Sequence, residues 1–370
     1  MEHDILFGGI DVDSKKFHLT LIAKNTGQQF QFSTRANVSA LSKRLEILRS
    51  QGYQIKLCYE ATYLGYSLYR DLRKKNWEVE VIAPSLIPDI KGPRVKTDRL
   101  DSFKLARYYL QGLLTKVHVP TQDQEILRDL LRSRRFMRDQ LKKVKLHLIA
   151  LCRRHGLDYR QDYPGCSYWT IAHRRWLNQH IKTHSHSAFQ CNAQLLHSTL
   201  EHFEQQLEFY KNEIAKQASS DSYQAACQAL MCYRGIDQLT AMTILVEVGD
   251  IKRFDHPRRL TSYAGLDLIE YSSGGKQRRY GITKMGNSSL RACVVEACQS
   301  VHYPPKISKA LRKRRQDAQP RGVEIADRCM NRLYKRSQHL TNRGKHRNKV
   351  KVACARELFG FIWESLRQAA

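Results

Sequence analysis

Asp11, Glu60, Asp98 and Asp101 are the residues whose type and spacing could do chemistry in this 370-residue chain of formal net charge +28. Asp11 closes an apolar run, Ile5-Leu6-Phe7-Gly8-Gly9-Ile10, and Glu60 closes another, Ile55-Lys56-Leu57-Cys58-Tyr59. Asp98 and Asp101 stand three apart where a helical pattern begins, so they share one face of one turn. Carboxylates gathered in a basic protein repel one another unless a cation lies between them. The expectation is a divalent metal, Mg2+ or Mn2+, acting on a phosphate.

The elements that must position these acids read as α/β over the first 115 residues. Strands are predicted at 5–11, 17–23 and 28–34, with a turn at Asn25-Thr26-Gly27. A helix follows over 38–49, with apolar residues at 38, 41, 45 and 48. Then come the strand ending at Glu60, a helix over 64–75 and a strand over 78–83 stopped by Pro84. The order βββαβαβα is that of a ribonuclease-H-like fold, in which acids end adjacent central strands and recur on a later helix. Residues 120–220 read as helical. Met137, Leu141, Val144, Leu148 and Leu151 form one seam, and Leu196, Leu200, Phe203, Leu207, Tyr210 and Ile214 another. The first helix is basic and the second carries Glu201, Glu204, Glu208 and Glu213, which suits an antiparallel pair or two helices of an ordinary helical domain. Residues 156–190, rich in His, Tyr and Trp, have no periodicity that places them, and His184 and His186 read as surface residues. The domains expected are 1–118, 119–222 and 223–370, the last mainly α-helical.

A sequence pI near 9.8 points to a polyanion. Residues 306–351 hold sixteen Lys/Arg against three acids, and residues 128–154 hold ten against two. A membrane surface is the weaker alternative, because the basic helices lack a strong Trp/Leu face. No run of eighteen uncharged apolar residues exists, and Met1-Glu2-His3-Asp4 resembles no signal peptide, so a cytoplasmic protein is expected. Ten cysteines, none in a CxxC pair, read as reduced and not metal-binding.

Arg234-Gly235-Ile236-Asp237 leads into an apolar helix over 242–248, either half of a phosphate-binding helical hairpin or a plain helix cap. Residues 271–287, beginning Tyr271-Ser272-Ser273-Gly274-Gly275-Lys276, read as a polar basic loop before a helix near Ser288. Such a loop could be solvated, could bind phosphate, or could hold a serine nucleophile.

Together these pieces resemble one family, the DEDD transposases of insertion sequences, related to the Piv pilin-gene invertase and acting as bridge-RNA-guided recombinases. The matching stretches are Gly9-Ile10-Asp11-Val12-Asp13, Cys58-Tyr59-Glu60-Ala61, Ala83-Pro84-Ser85-Leu86-Ile87-Pro88 and Arg94-Val95-Lys96-Thr97-Asp98-Arg99-Leu100-Asp101. They continue with Arg258-Arg259-Leu260-Thr261-Ser262-Tyr263-Ala264-Gly265-Leu266, Tyr271-Ser272-Ser273-Gly274 and Gly281-Ile282-Thr283-Lys284-Met285-Gly286-Asn287. Departures are Asp267-Leu268, where a proline is usual, and Thr62, where glycine is common. The resemblance implies a RuvC-like (ribonuclease-H-like) domain whose tetrad Asp11, Glu60, Asp98 and Asp101 binds Mg2+ or Mn2+. It also implies a catalytic serine at Ser273, or Ser272 by one residue of register, that forms a covalent phosphoserine with DNA. Asp13 is either an outer-shell acid or a surface residue. Lys96, Arg99, Lys276, Arg278, Arg279, Lys284 and Arg291 would contact nucleic acid. Implied partners are donor and target double-stranded DNA, a noncoding guide (bridge) RNA, and further copies of the chain in a dimer or tetramer with a composite active site. The alternatives are a RuvC-like junction nuclease that uses water, and a non-catalytic nucleic-acid-binding protein.

Overall fold

In a computed structural model, residues 4–88, 98–273 and 276–369 are described, with the side chains of 271–273 and 276–279 left outside the description. The chain divides into two compact units, 1–120 and 121–370.

The first unit is a five-stranded mixed sheet of β1 (Ile5–Val12), β2 (Lys16–Ala23), β3 (Gln29–Arg35), β4 (Gln54–Glu60) and β5 (Glu78–Ile82). Its order is β3-β2-β1-β4-β5. The first three strands are antiparallel neighbours, as short turns allow, whereas β4 and β5 run parallel to β1 and need crossover helices. Those helices are α1 (Val38–Ser50), started by Asn37, whose side chain accepts the amides of Ser39 and Ala40, and α2 (Ser67–Lys74). Period-two alternation divides the sheet into faces. Leu6, Ile10, Leu19, Leu21, Leu57, Tyr59, Val79 and Val81 pack with Leu41, Leu45, Leu68 and Leu72 of α1 and α2. The opposite face takes α3 (Asp98–Leu110), where Leu105 and Tyr109 pack with Cys58 and Ile82. The sequence placed every strand within a residue or two of these bounds. It started α2 three residues early, in a stretch of turns.

α3 lies unusually close to the sheet because β1 has no side chain at Gly9. A Cβ there would come within 2.4 Å of the Ala106 amide nitrogen and of the Ser102 carbonyl oxygen, and 2.6 Å of Leu105. Beside this contact the buried hydroxyls of Thr20, which pairs with Gly9, and Ser102 share a 2.9 Å hydrogen bond.

The second unit begins with a helical arm. α4 (Gln122–Arg154) and α7 (Ser187–Ala218) pack together, with α5 (Tyr159–Asp162) and α6 (Ile171–Thr183) between them in the chain. Leu141, Leu148 and Leu200 are buried in the expected seams. Lys145 of α4 reaches Glu204 of α7 at 2.8 Å, the anticipated charge pairing, and Arg174 of α6 reaches the same carboxylate at 2.8 Å. The stretch that periodicity could not place forms the arm's tip. Tyr159, Trp176, Leu177, Ile181 and Phe189 cluster there on Leu148 and Leu151. His173 is buried among these rings, and burial pushes its pKa down to about 4. His184 stacks on Phe189, while His186 is exposed and caps α7.

The bases of α4 and α7 enter a larger helical core with α8 (Gln224–Met231), α9 (Gln238–Val248) and α10 (Pro257–Tyr263). A hairpin of β6 (Leu268–Ser273) and β7 (Lys276–Ile282) follows. The fold ends with α11 (Ser288–Ala297), α12 (Lys309–Arg314), α13 (Pro320–Asn342) and α14 (Arg347–Ala369). All ten cysteines are free thiols. Among the described residues no helix is long and apolar enough to cross a membrane.

The close approach at Gly9 gives a direct test. Gly9→Val should push α3 off the sheet and destabilise the first unit by about 1–3 kcal/mol, read as a lower urea midpoint. An unchanged midpoint would mean that α3 is not seated on β1.

Candidate functional site

The sheet register explains why Asp11 and Glu60 belong together. Ile10 pairs with Tyr59 across β1 and β4, and Asp11 and Glu60 are the next residues on the two parallel strands. By alternation they lie on the face of Gly9 and Cys58, which is the face α3 covers. Asp98 and Asp101 occupy the first turn of that helix. All four acids are therefore assigned by topology to one face at one end of the sheet. They are not drawn into a cluster. Among the described residues no group of three or more His, Cys, Asp or Glu side chains is arranged to hold a metal ion. The donors offered are nonetheless of one kind, hard carboxylate oxygens that suit Mg2+ or Mn2+.

His18 joins this face and was not anticipated. It is the β2 partner of Asp11. Its Nε2 stands 3.4 Å from an Asp98 carboxylate oxygen, and its Nδ1 shares a 2.9 Å hydrogen bond with the Ser33 hydroxyl. A histidine opposite the strand-end aspartate is visible in the sequence only once the β1–β2 turn has fixed the register. Asp13 lies in that turn, where its carboxylate accepts the Lys15 amide at 2.9 Å. That hydrogen bond is the main reason its pKa is lowered. This is the geometry of a turn-capping surface residue.

The C-terminal motifs converge on a different structure, a knot around Glu247 of α9, which is 1 % exposed. Arg132 donates to both carboxylate oxygens at 2.9 Å, and Asn287 Nδ2 donates to one of them at 2.7 Å. The two Glu247 hydrogen bonds raise the Arg132 pKa above its ordinary value. Arg128 and Gln124 donate to the Val246 carbonyl at 2.9 and 2.8 Å, closing the end of α9. Asn287 also caps α11 by accepting the Leu290 amide, and its own amide donates to the Tyr263 carbonyl. Gly286, at φ 135°, passes so close that a Cβ would lie 2.4 Å from the Tyr263 carbonyl oxygen. The hairpin leaves this knot with its root closed by Thr283 N–H to the Asp267 carbonyl (2.8 Å) and Lys284 N–H to the Gly265 carbonyl (3.0 Å).

Two family models match the chain, one for a DEDD transposase of the IS110 type over residues 8–155 and one described as the IS116/IS110/IS902 transposase family over residues 227–312. Over 98% of its length the chain is 36% identical to the y4qE protein of Sinorhizobium fredii, named as a transposase, covering 89% of that protein. The chain belongs to the IS110 family of insertion-sequence transposases. It is also 26% identical to the transposase for insertion sequence element IS1533 of Leptospira borgpetersenii, over 92% of this chain and 98% of that one. The transposase for IS1111A of Coxiella burnetii is 25% identical over 65% of each chain.

In this transposase the reading of 271–287 as a loop is corrected. Ser273 is the last residue of β6 and pairs with Lys276, the first residue of the antiparallel β7. The polar, charged strands lack an apolar alternation, so only the two glycines marked the hairpin. The side chains of Ser272, Ser273, Lys276, Arg278 and Arg279, and all of Lys96, lie outside the described residues. Arg99 is exposed on α3 and donates to Gln31. Lys284 is exposed, at a left-handed φ of 57°. Arg291 donates to the Ala264 carbonyl at 2.7 Å, which gives it a structural task in the knot. The apolar helix after Gly235 starts at Gln238, four residues earlier than read, because Asp237 caps it by accepting the Thr240 amide. Gly235 is needed there for packing, since a Cβ would lie 2.1 Å from the Ala297 carbonyl oxygen. Of the two readings of this turn, the helix cap is the one the contacts support.

Arg132→Ala would leave the Glu247 carboxylate buried with only Asn287 and a longer 3.8 Å approach from Arg128. Because Arg132 is itself half exposed, the expected cost is about 2–3 kcal/mol, measured as a lower melting temperature. Adding Glu247→Gln should recover part of it. If Arg132→Ala melts with the parent, Glu247 does not organise this unit.

Proposed function

We propose that this transposase cuts and rejoins DNA strands through a covalent phosphoserine at Ser273, assisted by Mg2+ or Mn2+ at Asp11, Glu60, Asp98 and Asp101. The observation that carries the reading is the placement of Asp11 and Glu60 at the ends of adjacent parallel strands beneath the acidic first turn of α3. The order β3-β2-β1-β4-β5, with only its first three strands antiparallel, supports a RuvC-like, ribonuclease-H-like domain. When bound, the metal would neutralise charge on the phosphate and stabilise the departing oxygen. The Ser273 hydroxyl attacks phosphorus and loses its proton. A serine O–P bond forms, the bond to one deoxyribose oxygen breaks, and that oxygen takes up a proton. Rejoining runs the same exchange with a different DNA hydroxyl, so the phosphodiester energy is conserved and no nucleotide cofactor is consumed. Ser272 is the alternative nucleophile if the register shifts by one.

In this reading the regions 119–222 and 223–370 act as a helical arm and a serine-bearing domain. The serine and the tetrad come together between copies of the chain in a dimer or tetramer. A noncoding guide RNA selects donor and target duplexes by base pairing, so the protein needs to grip only backbone and shape. The basic stretches 128–154 and 306–351 supply that grip. Within the second stretch, exposed Lys309, Arg312, Lys313, Arg343, Lys345 and Arg347 are the contributors. Arg314, Arg315, Arg328 and Arg332 are committed to backbone carbonyls or carboxylates of the fold.

The chain, labelled donor and target DNA, guide RNA and Mg2+ should give an SDS-resistant protein–DNA adduct. Ser273→Ala should abolish the adduct, and Asp11→Ala should reduce it at least about a hundredfold. Cleavage that survives Ser273→Ala with no adduct would instead establish a nuclease using water. Tight binding without cleavage under either metal would establish a binding protein.

A further inference from the structure

One group of arginines in the second unit, Arg134, Arg135 and Arg138, is tied to the fold by few contacts, and among the described residues none of the three is paired with a buried carboxylate. A cavity of about 260 Å³ lies between α4, α9 and α11, lined by Arg134, Arg135, Arg138, Thr240, Ser289 and Cys293 among others. Arg132 and Glu247 also border it, but each is satisfied by the other. Arg135 donates to the Ser289 hydroxyl at 3.2 Å, a neutral partner. The Arg134 Nε is buried and has no hydrogen-bond partner. Burial first, and then the charge of Arg138 one helical turn away, lower the Arg134 pKa, whereas Asp237 opposes that shift. The Asp237 carboxylate already caps α9, Arg138 touches only its exposed neighbour Asp139, and exposed Glu296 is hydrogen-bonded to Gln299.

A half-buried guanidinium with an unsatisfied donor, beside two further arginines, is costly unless an anion fills the space. Three arginines and a hydroxyl around a roomy cavity match a tetrahedral phosphate with several acceptor oxygens. The same helix carries eight net positive charges over 128–154, so the cavity lies along a track suited to a chain of phosphates. We propose that this cavity is a phosphate-binding pocket that seats one phosphodiester of a bound nucleic-acid backbone, with Arg134, Arg135 and Arg138 as its ligands. The inference rests on the reading that α4 holds nucleic acid, and it narrows that contact to one pocket.

The test uses the full chain, fluorescently labelled duplex DNA and single-stranded RNA, and anisotropy across a salt series. Arg134→Gln with Arg138→Gln is compared with Lys142→Gln with Lys143→Gln, two exposed cations of the same helix that do not line the cavity. The pocket variant should bind at least one of the two nucleic acids about tenfold more weakly, with the salt slope reduced by roughly one per lost contact. The lysine variant should lose clearly less. Equal losses would reduce the pocket to a diffuse basic surface and overturn the inference while leaving the proposed function standing. No loss in the pocket variant overturns it in the same way. A parent chain that binds neither nucleic acid removes the underlying reading instead. Inorganic phosphate should raise the melting temperature of the parent and not of Arg134→Gln. If it does so while nucleic-acid affinity is untouched by the substitutions, the pocket serves a free small anion and the phosphodiester assignment falls. Arg134→Gln alone should not lower the melting temperature, because Arg134 holds nothing in the fold, and a clear drop would overturn the premise.

Discussion

The absence of a side chain at Gly9 is the constraint on which the acidic face depends. Gln31, Thr20, Gly9, Cys58 and Glu80 form one row across the five strands, and α3 presses its backbone onto the middle of that row. The next row toward the strand ends carries Ser33, His18 and Asp11, followed by Glu60 on β4. The distance between the sheet acids and the helix acids is thus set by a contact that contains no catalytic group. Any Cβ at position 9 would lift the whole helix and carry Asp98 and Asp101 with it, because a helix moves as a body and a packed interface does not stretch. The Thr20–Ser102 hydrogen bond fixes the remaining freedom, the slide of α3 along the strands.

The second unit solves the same positioning problem with charge. Glu247 is the one buried acid among the described residues, and its oxygens are shared between a guanidinium fork and an amide. A buried carboxylate is a poor source of stability but a strict source of geometry, since it tolerates few arrangements of its partners. Through Asn287 the knot holds the start of α11, and through Gly265, Lys284 and Gly286 it holds the root of the β6–β7 hairpin. The left-handed backbone at Lys284 is part of this closure, a conformation a lysine accepts only where the surroundings impose it. The hairpin therefore leaves a fixed base, with Ser273 at the far end of β6.

The first unit was legible because its strands alternate sharply and its turns are marked, so that the positions of Asp11 and Glu60 followed from local pattern alone. His18 was not legible, since its relation to Asp11 is a cross-strand register and not a spacing. The β6–β7 hairpin escaped because Glu270, Tyr271, Arg278 and Arg279 offer no apolar face to count. The arm's tip escaped because α5 has one turn and its packing rests on rings of Tyr159, His173 and Trp176, which follow no single period. Net charge pointed to the class of partner but not to the individual contacts. It detects Lys and Arg without showing that Arg291, Arg314 and Arg315 spend their donors on carbonyls, or that Arg328 and Arg332 are paired.

The separation of the two chemistries between compact units has a consequence under the proposed mechanism. The acids belong to residues 1–120 and the serine to residues 121–370, so neither unit can complete a strand cleavage by itself. A nucleophile that forms a covalent bond to DNA is hazardous if it acts on any duplex it meets. Placing it at the end of a ribbon whose root is rigid, and placing the metal ligands on another unit, makes the reaction depend on assembly. The carboxylates repel until a cation and a phosphate arrive, and the serine stays unreactive until that charged phosphate is brought to it. Specificity then need not come from reading bases. It can come from requiring every part to be present at once, which would suit a basic protein that, in the proposed mechanism, grips phosphate backbone and not bases.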